Sequence, residues 1–415
     1  MAREHYVTGI DIGSSTVRVA VARAGSFEGE EGPKILGMAS APMSGMQKGV
    51  VTDVESAVAA VSRALDTAER IAGVPIERAY VSINGSHINS QNSRGVIAVS
   101  RADGEITADD VARVINAAQA ISMPSNREIL HVLPQNFIVD GQEQIHDPVG
   151  MTGVRLEVEA HIIDGSAPFI KNITKTVNQA GIHVEDYVFS PLAGAAAVLD
   201  KRQKDLGVVL VDMGAGTTSM VVYEENALVH TAVLPLGSAH LTNDIAIGLR
   251  TSIDVAEAVK KEHGTALIDT VKVNETIMVE SEDGGEQESI SRHEVSNIIH
   301  ARVEEIYTFV DRELKGIQRS GLLPAGVIFT GGGAQLPGVV EVAKKRLRLP
   351  ARIGAIKPLA GMEEKTSGPA YAVVVGLVLW ALEQESRGGT RMSVKLPDVG
   401  DTVQKIRGWF KTFMP

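Results

Sequence analysis

Apolar and polar positions along this chain change period repeatedly, and the changes outline its elements. The stretch to residue 83 reads as three strands, a helix and a strand. Val54, Val58, Val61, Leu65 and Ile71 share one face at helical spacing, predicting a helix over 50–72. Gly73 and Pro75 follow as terminators. Residues 79–83 form a short apolar run and predict a buried strand. From 84 to 161 the texture shifts to short alternating strands around one helix, opened by the capping box Thr107-x-x-Asp110, with a loop over 146–153. This predicts a small inserted α+β module. Helices follow at 168–180, 191–201, 243–263, 291–320 and 336–347, and a buried helix at 369–383. The acidic run 281–288 reads as a solvated loop.

One apolar–turn–apolar phrase occurs twice. Asp11, Gly13, Ser14, Ser15 and Thr16 separate two apolar runs, and so do Asp212, Gly214, Ala215, Gly216, Thr217 and Thr218. Asp11 and Asp212, Gly13 and Gly214, and Thr16 and Thr217 all keep one offset of 201 residues. Glycine has no Cβ, so the N–H groups of such a turn can approach phosphate oxygens. The hydroxyls of Ser14, Ser15, Thr16, Thr217 and Thr218 can add donors. An Asp at each strand end can orient hydrated Mg2+. One copy alone is explained equally well by an ordinary hairpin. Two copies in register predict two similar halves closing on one polyphosphate. The strand over 326–330 runs into Gly331, Gly332 and Gly333, a turn that lets backbone approach a flat or anionic group. Alone it reads as a tight strand–helix turn; with the paired hairpins it completes a nucleotide cleft. No Gly-x-x-x-x-Gly-Lys run is present.

At 415 residues with 44% hydrophobic content, the chain has length for two or three domains with sizeable cores. A formal charge of −11 argues against a general nucleic-acid binder. With no cysteine there is neither a disulfide framework nor a cysteine-based metal site, which suits a reducing cytosol. No apolar signal region follows the first residues, and the longest apolar stretch, 371–382, is short of the roughly 20 residues of a spanning helix.

The segments 11–16, 211–218 and 329–334 resemble the two phosphate motifs and the adenosine motif of the superfamily of actin, heat-shock chaperones and sugar kinases. Within it, 81–88, 131–135, 147–153 and 256–264 resemble the FtsA family of bacterial cell-division proteins, and the likeness extends over nearly the whole chain. The resemblance implies an α/β, actin-like two-lobed fold of duplicated ribonuclease-H-like domains, with an inserted small α+β subdomain and a C-terminal amphipathic helix. It implies a first subdomain over 1–83 and 162–204, the insertion at 84–161, a second subdomain over 205–228 and 318–385, and a fourth over 229–317. A linker at 386–400 and a membrane-targeting helix at 401–415 complete the division. ATP with Mg2+ would be held by the two turns, with Asp11 and Asp212 flanking the metal through water. Glu257 and Lys260 match a helix on the nucleoside side; without the family they read as a surface pair at i, i+3. Relatives place a Glu or Gln, for hydrolysis, where Ser190 stands here, and a chaperone-like Asp where Ser219 stands, which implies at most slow ATPase activity.

The last residues carry a second signal. Val403, Ile406, Phe410 and Phe413 lie on one helical face with Trp409 beside it, and Lys405, Arg407 and Lys411 make the segment basic. That is the pattern of a helix lying in an anionic membrane interface; the competing reading is a terminal helix docked on its own core. The family resemblance implies self-association into a filament, the C-terminal tail of FtsZ as partner near Arg302, other division proteins as further partners, and a place on the cytoplasmic face of the inner membrane. Two alternatives remain beside it: a small-molecule kinase of the superfamily, and a pilus-assembly adaptor.

Overall fold

The computed structural model describes residues 5–25, 32–280 and 287–387. The segment 401–415 and most of the acidic run 281–288 lie outside the described residues, as does the linker 386–400 except its first two residues, which continue the last helix.

The first lobe opens with β1 (Tyr6–Ile12), β2 (Thr16–Arg23) and β3 (Lys34–Pro42), a two-residue pair β4 (Met46–Gln47) and β5 (Val50–Val51), helix α1 (Val54–Ala72) and β6 (Arg78–Ile83). The chain then leaves for the insertion: β7 (Asn89–Ala98), α2 (Ala108–Gln119), β8 (Arg127–Val139), β9 (Gln142–Ile145) and β10 (Arg155–Ser166). It returns through α3 (Ala167–Gln179), β11 (His183–Phe189), α4 (Ser190–Val198) and α5 (Lys201–Leu206). The second half comprises β12 (Val208–Met213), β13 (Thr218–Glu224), β14 (Ala227–Leu234), α6 (Ser238–Leu249), α7 (Ile253–His263), the hairpin β15 (Thr276–Glu280) and β16 (Gln287–Ser291), α8 (Arg292–Gly316), β17 (Gly326–Thr330), α9 (Val339–Leu347), β18 (Ala351–Ile353) and α10 (Ala372–Arg387).

The duplicated phrase is a duplicated sheet. The first sheet has the order β11-β6-β1-β2-β3 and the second β14-β13-β12-β17-β18. In each, three antiparallel strands are extended by two parallel ones on the side of the first strand. Registers match at the same 201-residue offset: Asp11 stands opposite Arg18, and Asp212 opposite Ser219. Both faces of these strands are buried, which explains their unbroken apolar runs. The insertion forms its own antiparallel sheet, β7-β10-β8-β9, covered by α2. Thr107 caps α2 with the reciprocal Asp110 bonds of a capping box. Three apolar clusters fill the two lobes and the insertion.

Several boundaries differ from expectation for local reasons. The helix expected at 50–72 starts at Val54, capped by Asp53, because Val50–Val51 pairs as a strand. Its buried stripe is Ala57, Ala60, Ala64 and Ala68 with Val61 and Leu65; Ile71, expected on that face, is 51% exposed. Alanines face the sheet because the helix lies close on it: a Cβ at Gly37 would sit 2.8 Å from the Ala72 nitrogen. The helix expected at 243–263 is two, broken where Arg250 takes a left-handed conformation and Ser252 caps α7. The helix expected from 336 begins at Val339, after a 3-10 turn over Gly332–Gln335. Among the described residues no helix is long and apolar enough to cross a membrane.

Candidate functional site

Both phosphate-type turns close the same way: Gly13 N–H donates to the Thr16 carbonyl (3.1 Å) and Gly214 N–H to the Thr217 carbonyl (3.0 Å). Their tips meet between the lobes. A Cβ on Gly216 would lie 2.8 Å from Ser14 Oγ and 2.9 Å from the Lys48 backbone, so a side chain there would wedge the two turns apart. Ser14 Oγ in turn accepts the Gly49 N–H at 3.0 Å. Ser15 anchors its turn by accepting the Met43 N–H at its carbonyl, 3.0 Å. Beneath the second turn, Asn84 and Ser219 exchange hydrogen bonds across the lobes, with Asn84 Nδ2 donating to Ser219 Oγ at 2.6 Å.

The two aspartates stand near the ends of β1 and β12, the corresponding strands of the two sheets, and are buried. Asp11 accepts from Ser82 Oγ (2.8 Å) and lies 3.8 Å from the Arg18 guanidinium. Burial lifts its carboxyl above the ordinary value, against the pull of Arg18 and Ser82. Asp212 accepts a 3.2 Å bond from Thr330 Oγ1. Burial first, and the Asp11 charge second, push it up to about 6. Two carboxyls raised in this way form a site that a cation would relieve. Thr218 Oγ1, paired with Met213 one position along the strand from Asp212, is fully buried and has no hydrogen-bond partner among the described residues.

The glycine turn completes this floor. Gly331 has φ +85°, and a Cβ there would meet the Met213 carbonyl at 2.5 Å and Asp212 Oδ1 at 2.7 Å. Gly333 packs on Met213 and Ser238, whereas Gly332 faces open space. The start of α6 is tied to the second turn, Ser238 and Ala239 N–H donating to the Gly214 and Ala215 carbonyls at 2.9 Å. From there the chain of contacts reaches Glu257 and Lys260. Lys260 Nζ donates to Glu257 (2.5 Å), Thr242 Oγ1 (2.8 Å) and the Ser238 carbonyl (3.3 Å), and Thr242 also donates to Glu257. Burial opposes the Glu257 charge, but bonds from Lys260 and Thr242 outweigh it and hold the carboxyl below its ordinary value. The pair is therefore not a free surface pair; it braces α6 and α7 at the edge of the cleft.

The expected turn residues, Asp11, Asp212, the three glycines, Glu257 and Lys260 thus form one continuous region. Arg302 lies apart from it on α8, forked onto Asp244 at 2.6 and 2.8 Å and bonded to Glu305. Ser190 opens α4 and donates to the Ile83 carbonyl at 3.3 Å. The expected membrane residues, from Val403 to Phe413, lie outside the described residues. Sequence reasoning missed Ser82, Thr330, Lys48 and Thr242 as parts of the site. Ser82 and Thr330 reach it from the strands beside Asp11 and Asp212, Lys48 from a neighbouring turn and Thr242 from α6; Ser82 and Thr330 lie within the matched segments 81–88 and 329–334, but nothing there singles them out.

A family model described as cell division protein FtsA matches residues 209–376, and one described as the SHS2 domain inserted in FtsA matches 85–164. The chain is 38% identical over 403 residues to cell division protein FtsA of Bacillus subtilis, covering 97% of this chain and 89% of that protein. It is 37% identical over 382 residues to FtsA of Pseudomonas aeruginosa (92% and 90%), and 34% identical over 413 residues to FtsA of Escherichia coli (98% and 97%). Among solved structures, the PilM–PilN type IV pilus biogenesis complex aligns with TM-score 0.65 at 16% identity, over 91% of this chain and 98% of that one. MreB5 of Spiroplasma citri bound to ADP aligns with TM-score 0.53 at 13% identity, over 92% and 99%. At such identities the structural likeness is one of fold.

Proposed function

The chain belongs to the FtsA family of cell-division proteins, and on that footing we propose that it binds ATP with Mg2+ between its lobes, self-associates on the cytoplasmic face of the bacterial inner membrane, and tethers FtsZ filaments there at the division site, where later division proteins join. The observation that carries the nucleotide part is the pair of hairpins, alike in register at one offset, that brings Asp11 and Asp212 together. The surroundings fit the ligand. Thr218, at the start of β13, holds a hydroxyl unpartnered among the described residues, and the turns carry no side chains at Gly13, Gly214 and Gly216, so backbone N–H groups other than the two that close the turns would be free to meet phosphate oxygens. Bound Mg2+ would neutralise phosphate charge, with Asp11 and Asp212 positioning it through water. Gly331, Gly332 and Gly333 would admit the nucleoside, with Glu257 and Lys260 as its far wall. The subdomain division expected from the sequence is part of this reading.

The nucleotide acts here as a clasp more than as a substrate. Hydrolysis needs a group that orients or deprotonates water. Ser190 and Ser219 hold hydroxyls where relatives carry such groups, and both are engaged by the fold, with Ile83 and Asn84. A kinase of the same superfamily would need that base too, which disfavours the kinase reading. On α8, Arg302 is the proposed carboxylate partner of the FtsZ tail. The basic, aromatic segment 401–415 is the proposed lipid contact; one such helix binds marginally, and a polymer presenting many copies gains by effective concentration. Co-pelleting of FtsZ filaments with anionic vesicles in the presence of this protein and Mg-ATP tests the proposal. FtsZ that stays in the supernatant under those conditions would sink it.

A further inference from the structure

We propose that the inserted module is latched to the second lobe through the edge strand β14, and that this latch transmits the state of the phosphate cleft to the module. The inference rests on the nucleotide reading above and adds a regulatory connection to it.

By chain connectivity the module belongs to the first lobe, leaving it after Ile83 and rejoining it at α3. Its core packs in part on the first lobe, where His131 accepts the Phe189 N–H, yet three of its side chains bond across to the second. Ser90 Oγ, on β7, donates to the Thr231 carbonyl at 3.0 Å. Gln135 Nε2, on β8, donates to the Leu228 carbonyl at 2.7 Å. His161, on β10, has Nε2 at 2.9 Å from Thr231 Oγ1 and Nδ1 at 2.6 Å from Asn92 Oδ1. Three strands of one sheet therefore converge on a single strand of another.

Two details mark the contact as built. Pairing of β10 with β8 slips between Glu159 and Ala160, whose partners are Asn136 and Pro134, so Gln135 is the extra residue of a β-bulge. A bulge turns its residue out of the regular alternation, and this one reaches the β14 backbone. His161 is 2% exposed with both ring nitrogens occupied, and burial with the nearby His230 holds its pKa near 4. The ring is neutral at cellular pH: Nδ1–H donates to Asn92, and Nε2 accepts from the Thr231 hydroxyl.

β14 leads directly to the second phosphate turn. Its Leu234 pairs with Thr218 and its Val233 with Ser219, while Thr231 pairs with Val221. The module also begins near that turn, since Asn84, its first residue, bonds Ser219. A shift of the second turn relative to the first lobe therefore moves β14 against the module. The junction can yield. A pocket of about 530 Å3, open to solvent on one side, lies at the junction beside these bonds, lined by Asn89, Gln91, Arg127, His230 and Glu313 among others. Polar contacts around such a space open without exposing a large apolar core, unlike the packed interiors on either side. By linkage, whatever binds the module and favours the latched form also tightens nucleotide binding, by the same factor.

Hydrogen exchange on the full chain, with and without saturating Mg-ATP, tests this. Nucleotide should slow exchange in both turns, 13–16 and 214–218, and should also slow exchange of the β7 and β14 amides at their junction, by about fivefold. In the double variant Ser90→Ala with Gln135→Ala, both residues half-buried and tolerant of truncation, the turns should still be protected. The effect at β7 and β14 should fall below twofold, and ATP affinity should drop by about the factor lost. Protected turns with unchanged exchange at β7 and β14 in the parent protein would overturn the latch while leaving nucleotide binding intact. Unprotected turns would remove the nucleotide reading and the latch with it.

Discussion

Across the cleft, the charge of Asp11 adds to burial in lifting the Asp212 carboxyl to about 6. The nearest opposing charge on Asp11, Arg18, stands back at 3.8 Å. The two lobes thus bring like charges together at the point where they close, an arrangement that opposes stability unless a cation or proton is supplied.

Replacing Asp212 by Asn should therefore stabilise the metal-free protein at neutral pH. A folded-state pKa near 6 lies above the unfolded value near 3.8, so the native state holds this proton more tightly. The stabilisation from that proton is present at pH 4 and lost as pH rises through 6, leaving a cost of about 3 kcal/mol for a two-unit shift. Asp212→Asn should gain about 1–3 kcal/mol at pH 7.5 without Mg2+, and the gain should vanish near pH 4. Urea melts at both pH values would show it, and a variant destabilised at pH 7.5 would refute it. The same variant should lose Mg-ATP binding.

Gly331→Ala should damage fold and cleft together. The new Cβ would crowd the Met213 carbonyl and Asp212 Oδ1 at a φ of +85°. A cost of roughly 1–3 kcal/mol is expected, with weaker binding of a fluorescent ATP analogue. Parent-like melting and binding would show that the turn is not held as described.

On α8, Asp244 and any partner carboxylate compete for one guanidinium. Arg302→Ala should weaken binding of the FtsZ tail about tenfold or more, whereas Asp244→Asn, which frees the fork, should tighten it. Fluorescence anisotropy with a labelled tail peptide distinguishes the two. If both changes weaken binding equally, the pair shapes the surface and does not touch the ligand.

Trp409→Glu should release the protein from anionic vesicles in sedimentation, and binding of the parent should fall as salt rises. Retained sedimentation of the variant would exclude 401–415 as the lipid contact.

The parts of the molecule legible in sequence are those whose signal is local. The duplicated Asp-x-Gly turns reveal the doubled sheet because a buried two-faced strand and a tight turn each leave a mark in a few residues. The face of α1 holds at Val61 and Leu65 but not at Ile71, and its alanines go unread, because large apolar residues outweigh alanines in a sequence pattern while close helix-on-sheet packing selects the small ones and leaves Ile71 half in solvent. The break between α6 and α7 was missed because Arg250 is a non-glycine in a left-handed conformation, which sequence does not advertise. Ser82, Thr330 and Thr242 escaped notice for another reason. Their roles come from which strand or helix lies alongside, and that is a property of the whole fold.

Helix α10 packs on β1 and α4, so closely that a Cβ on Gly376 would overlap the Ala193 carbonyl at 1.8 Å. It supplies Val374, Val375, Leu377 and Val378 to the core that contains Ile10 and Val19. β1 is thus covered by a helix that lies some 360 residues further along the chain. The insertion has all its strands within reach long before then. Until α10 is made the first lobe stays open, and the chain must keep that apolar surface from other partners until its own closing piece arrives.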